Sequence, residues 1–123
     1  MAKNVTIKDI PASEEILFAN IVTLKDHSLI GIPNYKSVKF VVTNTSIYIK
    51  IAGVLIDTSG TQALSIEQID TLTIKTPLVK SNRFLIVGIK NGKGVQFTLT
   101  KEDCQTVVNI LKNANSSIVI EEV

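Results

Sequence analysis

The chain has 123 residues, of which 45% are hydrophobic, a formal net charge of +2 and one cysteine. This length is about that of one domain, and it suffices to bury roughly two-thirds of the surface that the unfolded chain exposes. The single cysteine excludes an internal disulfide framework and, together with a start that has no signal-like apolar run, predicts cytoplasmic residence. The net charge is too small to indicate nucleic-acid binding by itself. The apolar runs are far shorter than the roughly 20 residues that span a bilayer.

The first half of the chain is typical of strands joined by turns. Ile, Val and Thr supply 43 of the 123 residues, and side chains branched at Cβ favour the pleated surface of a sheet. Strands are predicted over residues 16–25, 38–42, 47–51 and 71–74, and Pro77 ends the last of these. In residues 47–51 the period of two places the side chains of Ile47, Ile49 and Ile51 on one face.

Residues 84–90 and 93–99 form a predicted β-hairpin. The dipeptide Asn91-Gly92 between them accepts positive φ at both central positions of a type I′ turn. A two-residue turn pairs Lys90 with Lys93 and Ile86 with Phe97. One strand face then collects the apolar side chains of the core: Phe84, Ile86, Val95, Phe97 and Leu99.

The opposite face of the same hairpin is half apolar and needs a cover, from the rest of the fold or from a partner. We predict that this face and the two lysines at the turn form an interaction surface: Leu85, Val87, Ile89, Lys90 and Lys93.

A helix follows the hairpin directly. Thr100 is a good N-cap, and the two acids at 102 and 103 favour the positive end of the helix dipole. The apolar residues recur at helical spacing and predict a buried stripe: Cys104, Val107, Val108 and Leu111. A strand-rich chain closed by one amphipathic helix predicts a mostly β fold, a barrel or a sandwich, in which the helix plugs one end or covers one sheet. Residues 116–123 are predicted to be an additional strand or an ordered tail.

Two ordered segments of the chain resemble the bacterial pleckstrin-homology-like and GRAM-like domains. Residues 41–49, Val-Val-Thr-Asn-Thr-Ser-Ile-Tyr-Ile, are similar to the strand–turn–strand segment of these domains. Residues 64–70, Leu-Ser-Ile-Glu-Gln-Ile-Asp, are similar to the polar step into their next strand. The resemblance implies one pleckstrin-homology-like domain over residues 1–123, with a core at about 14–115.

The family pattern is not followed everywhere. Ser46 stands where members often carry a basic residue. The lipid-binding members of the wider superfamily use a basic cluster in the first hairpin loop, whereas the corresponding region here offers only Lys25, His27 and Lys36. The resemblance therefore does not imply phosphoinositide binding.

No catalytic or metal-binding pattern is present in the sequence. His27 is the only histidine, and its neighbours Asp26 and Ser28 do not make a triad, because a triad needs side chains that converge in space. Cys104 lies on the apolar stripe of the helix, where a buried thiol is expected rather than a nucleophile. One His and one Cys do not supply the four ligands of a structural zinc site. We therefore expect no enzyme activity, no cofactor, no metal and no small-molecule substrate.

The sequence thus favours a non-enzymatic interaction module that binds a protein partner or associates with itself. Two alternatives remain, because no Asp or Glu occurs between Asp70 and Glu102, while six basic residues do. The first is nucleic-acid binding, and the second is peripheral association with anionic membranes. Both alternatives use the same anion-facing residues: Lys75, Lys80, Arg83, Lys90, Lys93 and Lys101.

Overall fold

The structure is a computed structural model that describes residues 5, 7–27, 36–52, 60–90, 92 and 94–123, apart from the side chains of residues 26, 27 and 36. Within these ranges the chain forms eight strands, a short 3₁₀ helix at Ile66–Gln68 and one α-helix. The elements are β1 (Ile16–His27), β2 (Lys36–Thr43), β3 (Ser46–Ile51), β4 (Gln62–Ser65), β5 (Ile69–Lys75), β6 (Asn82–Ile89), β7 (Gly94–Thr100), α1 (Lys101–Ala114) and β8 (Val119–Glu122).

The eight strands form one sheet in the order β4-β3-β2-β1-β7-β6-β5-β8. Strand β1 joins the two halves of this sheet, of which one contains β2–β4 and the other contains β5–β8. Its residues from Ile16 to Leu24 pair with β2, and those from Thr23 to His27 pair with β7. The two halves surround one hydrophobic core, to which β1–β3, β5–β7 and α1 all contribute buried side chains. The prediction of a mostly β fold with one helix late in the chain is therefore confirmed.

Helix α1 packs on β7, β6 and β1. The Thr100 hydroxyl accepts a hydrogen bond from the Asp103 backbone N–H at 3.1 Å, so the predicted N-cap is confirmed. The predicted buried stripe is confirmed as well, since Cys104, Val107, Val108 and Leu111 are all buried.

The predicted register of the β6–β7 hairpin is wrong by one residue. Gly88 pairs with Gly94 and Ile86 with Gln96, whereas a two-residue turn would pair Gly88 with Val95 and Ile86 with Phe97. A one-residue slip moves every side chain of one strand to the other face. Val95, Phe97 and Leu99 lie in the core as predicted, but their partners on β6 are Val87, Leu85 and Arg83, respectively.

The apolar run of β6 explains this error. Four consecutive residues, Phe84 to Val87, are apolar, so the alternation that reveals the buried face of a strand is absent there. Ile89 pairs with Ile69 of β5, and the backbone N–H of Lys90 donates to the Gln68 carbonyl oxygen at 3.0 Å. Strand β6 is therefore held by β5 up to its end, and its last pair with β7, Gly88–Gly94, lies one residue away from the register that a two-residue turn predicts.

The chain continues after α1 into strand β8, which pairs in parallel with the edge of β5. The predicted additional strand is thus present over Val119–Glu122. Ile118, immediately before it, is fully buried in the core.

Candidate interaction surface

The structure does not form the interaction surface that the sequence predicted. Leu85 and Val87 are completely buried in the core, so they are not available to a partner. Ile89 is half-buried against β5, Lys90 is exposed, and Lys93 lies outside the described residues. The correction follows from the register, because the slip that buries Leu85 and Val87 turns their neighbours outward.

The uncovered face of β6 instead carries Phe84 and Ile86, both half-buried. Phe84 pairs with Thr98 of β7 and with Lys75 of β5, and Ile86 pairs with Gln96 and Thr73. Paired residues project to the same side of a sheet. The outward face of β5–β7 is therefore a mixed surface of apolar and polar side chains.

This face continues into a groove at the turn between β5 and β6, which we call the turn groove. Its volume is about 780 Å³, and its lining is mainly apolar: Thr76, Pro77, Leu78, Val79, Lys80 and Phe84. The side chain of Leu78 is fully exposed, and that of Val79 is 59% exposed. Two neighbouring apolar side chains at the tip of a turn, next to a half-exposed aromatic ring, form an exposed apolar patch.

The described residues of the basic stretch lie at the two ends of the sheet. Lys75, Lys80 and Arg83 lie at the turn-groove end of the sheet, and the Lys101 backbone N–H donates to the carbonyl of Ser81 in that turn at 2.8 Å. Lys90 follows the opposite end of β6, which is eight residues long and therefore spans more than about 20 Å. Four of the five described cations thus lie at one end of the sheet and Lys90 lies at the other, and the nucleic-acid alternative stays a prediction.

Arg83 stabilises the turn at this end of the sheet. Its Nη1 donates to the backbone carbonyls of Lys80 and Asn82 at 2.8 and 2.7 Å. The guanidinium thus holds the turn in place, and Lys75 and Lys80 are the more accessible cations beside the turn groove.

Cys104 is unsuited to nucleophilic chemistry. Its side chain is 2% exposed. Burial raises the pKa of the thiol to about 11, an effect that the charge of Arg83 opposes and that of Glu122 supports. The thiol is therefore protonated at neutral pH. The side chain of His27 lies outside the described part of the structure.

A cluster of hydrogen bonds around the carboxylate of Glu14 lies just before β1, and the sequence did not predict it. Glu14 Oε1 accepts hydrogen bonds from the hydroxyls of Thr43 at 2.6 Å and Thr45 at 2.7 Å, and its Oε2 accepts one from Tyr48 at 2.7 Å. These three donors lie in the segment on which the family resemblance was based. The Glu14 side chain thus binds the turn between β2 and β3. The three donors are 29 to 34 residues away from Glu14 in the sequence, and no motif with a fixed spacing connects residues so far apart.

The hydrogen bonds of this cluster shift two pKa values. The Thr43 hydroxyl first, then those of Tyr48 and Thr45, stabilise the charged form of Glu14 and lower the pKa of its carboxyl group below 4.5. Burial, followed by the hydrogen bond to Glu14, raises the pKa of Tyr48 above 10.0. All four side chains are engaged with one another, so the cluster is a structural device of the fold.

The described ranges contain no group of three His, Cys, Asp or Glu side chains arranged as metal ligands. Within the same ranges, no helix has the length and apolar character needed to cross a membrane.

No family model matches the sequence, and no curated protein matches it either. Solved structures do match the fold. The hSac2 domain of the human phosphoinositide phosphatase Sac2 superposes with a TM-score of 0.63 at 18% identity, covering 93% of this chain and 80% of that one. The N-terminal PH domain of Vps36 gives a TM-score of 0.62 at 15% identity, over 85% of this chain and 81% of that one.

A third match is the Spt16D–Pob3N heterodimer, with a TM-score of 0.56 and 15% identity. This chain spans 56% of the matched chain, and 85% of its own residues are covered. At such low identities the likenesses concern the fold, and the narrower bacterial and GRAM-like resemblance stays a prediction. The chain has a pleckstrin-homology-like fold.

Proposed function

We propose that the chain is a non-enzymatic binding module that docks a protein partner on the turn groove. The observation that carries this proposal is the fully exposed side chain of Leu78, which with Val79 extends the half-exposed ring of Phe84 into one apolar patch. Apolar side chains that lie together in a groove are the usual centre of a binding surface.

The chemistry of the described side chains supports binding rather than catalysis. The only thiol is buried and protonated, and the most strongly engaged carboxylate, that of Glu14, is occupied by three hydroxyl groups. A catalytic group needs a free, suitably titrating side chain in a cleft. The turn groove offers apolar surface and cations instead.

The surroundings of the turn groove also indicate the chemistry of the partner. Lys75 and Lys80 are exposed beside it, so a partner surface that is apolar at its centre and acidic at its rim fits best. Burying the Leu78 side chain would contribute about 1.5–3 kcal/mol to such a complex.

Self-association through the turn groove is the first case to test, by sedimentation velocity over a concentration series. If the groove binds a second copy, the double variant Leu78→Ser/Val79→Ser should dissociate the wild-type oligomer into monomers. The matched control is Ile16→Ser/Ile21→Ser, which removes two other apolar side chains, each about half exposed, from β1. This control should associate like the wild type.

A partner of another sequence is tested with a photoreactive residue at position 78, and at position 21 as the control, in the cells that make the protein. We expect a discrete cross-linked protein from position 78 alone. A wild-type chain that stays monomeric at every concentration, combined with no cross-link specific to position 78, would contradict the proposed docking role.

Peripheral binding to an anionic membrane is a second candidate, favoured by the same exposed tip. An apolar side chain that enters the headgroup boundary, with Lys75 and Lys80 beside it, is the arrangement by which small domains attach to anionic lipid. Each lysine near such a surface would contribute about 1 kcal/mol. Flotation with vesicles with and without anionic lipid separates this candidate from protein docking, since equal failure to float with both vesicle types would exclude it.

A further inference from the structure

Strand β8 occupies the edge of β5 in an unusual way. It runs parallel to β5 over four residue pairs, Thr71–Val119 to Ile74–Glu122. The backbone N–H of Val123 adds a hydrogen bond to the Ile74 carbonyl oxygen at 2.9 Å. Parallel pairing is slightly less stable per residue than antiparallel pairing.

The side chains of β8 contribute little to holding it in place, because all four are exposed. The firm attachment lies upstream of the strand. Ile118 is fully buried, and the Lys112 ammonium group donates to the carbonyls of Ser116 at 2.7 Å and Ile118 at 2.6 Å. The strand is therefore held by its backbone, whereas the segment before it is anchored, so β8 can leave the edge without the anchor moving.

The charges around this edge are complementary to those of β8. Glu121 pairs with Thr73 and so lies on the face of the sheet to which Lys75, two residues further along β5, also projects. Glu122 lies on the helix side, where its charge and that of Arg83 both act on Cys104. An occupant of this edge thus places one acidic residue on the face to which Lys75 projects and the other on the helix side, where Arg83 also acts.

We propose that β8 is an exchangeable occupant of the β5 edge, and that this edge binds an extended segment of a partner protein with the chemistry of β8. That segment would have β-branched residues followed by acidic ones, and it would pair in parallel with β5 by strand addition. It would also run towards the turn groove, because β5 leads into the turn at Thr76. The inference rests on the proposed binding role but concerns a different surface, and the variants that test it leave Leu78 and Val79 unchanged.

Two matched proline variants test the release of β8. The Val123 N–H faces β5, and N–H directions alternate along a strand, so the Glu121 N–H faces β5 and the Glu122 N–H faces away. Glu121→Pro therefore removes a pairing N–H, whereas Glu122→Pro removes the same charge and leaves the pairing intact.

The probe is a fluorescent peptide with the sequence of residues 117–123, followed by anisotropy against the full-length variants. An edge that is free only part of the time weakens apparent binding by that fraction. We expect Glu121→Pro to bind the peptide at least tenfold more tightly than both Glu122→Pro and the wild type. A peptide with lysine in place of both glutamates should bind less tightly than the acidic one.

Equal or absent binding by a folded Glu121→Pro variant would overturn the proposal. Loss of the fold in Glu121→Pro would overturn it too, because β8 would then be an integral strand. Dimers formed by exchange of β8 would assign the edge to a second copy instead of another protein.

Hydrogen exchange of the wild type provides an independent measurement: the Glu121 and Val123 amides should exchange while the amides of β6 and β7 stay protected. Exchange of these two amides only through global unfolding would count against the proposal.

Discussion

At the scale of single residues, Thr43 supports more of the fold than its size suggests. It is the one polar residue among the buried residues of the described ranges. Its hydroxyl oxygen accepts from the backbone N–H groups of Thr45 at 3.2 Å and Ser46 at 3.1 Å, while its proton goes to Glu14. Because the site is buried, each of these groups depends on the threonine.

We expect Thr43→Val to lower the free energy of unfolding by about 1–3 kcal/mol, since an isosteric methyl group leaves these partners unsatisfied. Urea denaturation measures the effect. Thr43→Ser is the matched control, because it keeps the hydroxyl and should cost less. Equal losses for both variants would mean that packing of the Thr43 methyl group, and not the hydroxyl, stabilises the turn.

Glu14 makes the same cluster sensitive to pH. Its folded-state pKa is lowered from 4.5 by the three hydroxyl donors, so its contribution to stability is present above 4.5 and is lost as the pH falls through the folded-state pKa. We expect Glu14→Gln to be less stable than the wild type at neutral pH, with a difference that shrinks below pH 4.5.

Thermal unfolding at several pH values measures this difference. Glu15→Gln, a neighbouring exposed carboxylate, is the control and should show a much smaller effect at neutral pH. A Glu14→Gln deficit of the same size at acidic and neutral pH would contradict a role for the charged form.

At the scale of elements, the pairing of β6 with β5 includes a close approach at Gly88. A Cβ atom at Gly88 would lie 2.5 Å from the Thr71 hydroxyl oxygen on β5. We expect Gly88→Ala to destabilise the fold by about 1–3 kcal/mol. Because Thr71→Ala removes the clashing atom, the double variant Gly88→Ala/Thr71→Ala should recover most of the loss in a double-mutant cycle. Additive losses in the cycle would show that the cost does not arise from this contact.

The β6–β7 hairpin shows how far the sequence predicts the fold. Strand β3, with Ile47, Ile49 and Ile51 alternating, and helix α1, with its cap and stripe, follow local rules and were predicted correctly. Strand β6 was not, because its face is chosen by tertiary contacts, the Gly88–Thr71 approach and the pairing of Ile89 with Ile69. The candidate site failed with the register, since burial of Leu85 and Val87 exposes Phe84 instead.

The turn groove and the Glu14 cluster could not be predicted from the sequence, for related reasons. The sequence identified Pro77 as the end of a strand, but the exposure of Leu78 depends on how the turn projects from the sheet. Glu14 and its three donors are brought together by the pairing of β1 with β2, which a single sequence does not encode at any fixed spacing.

At the scale of the whole molecule, the two halves of the sheet share one core and are expected to unfold together. Phe40 of β2 and Phe97 of β7 come from different halves, and their ring centroids are 4.7 Å apart. Asn20 Nδ2 on β1 donates to Asp103 Oδ2 on α1 at 2.8 Å, so the helix also joins the two halves. Cys104 is buried in the same core.

We therefore predict a single cooperative transition in urea, with the same midpoint by far-UV circular dichroism and by labelling of the Cys104 thiol. Native labelling should be at least about a hundredfold slower than labelling in denaturant, because a pKa of about 11 leaves little thiolate and the sulfur is covered. A cysteine at the exposed Ser117 position, in a Cys104→Ala background, is the control that should react rapidly in the native state. A labelling midpoint well below that of the dichroism would show that α1 leaves the core before the sheet unfolds. Helix α1 would then be a cooperative unit separate from the sheet.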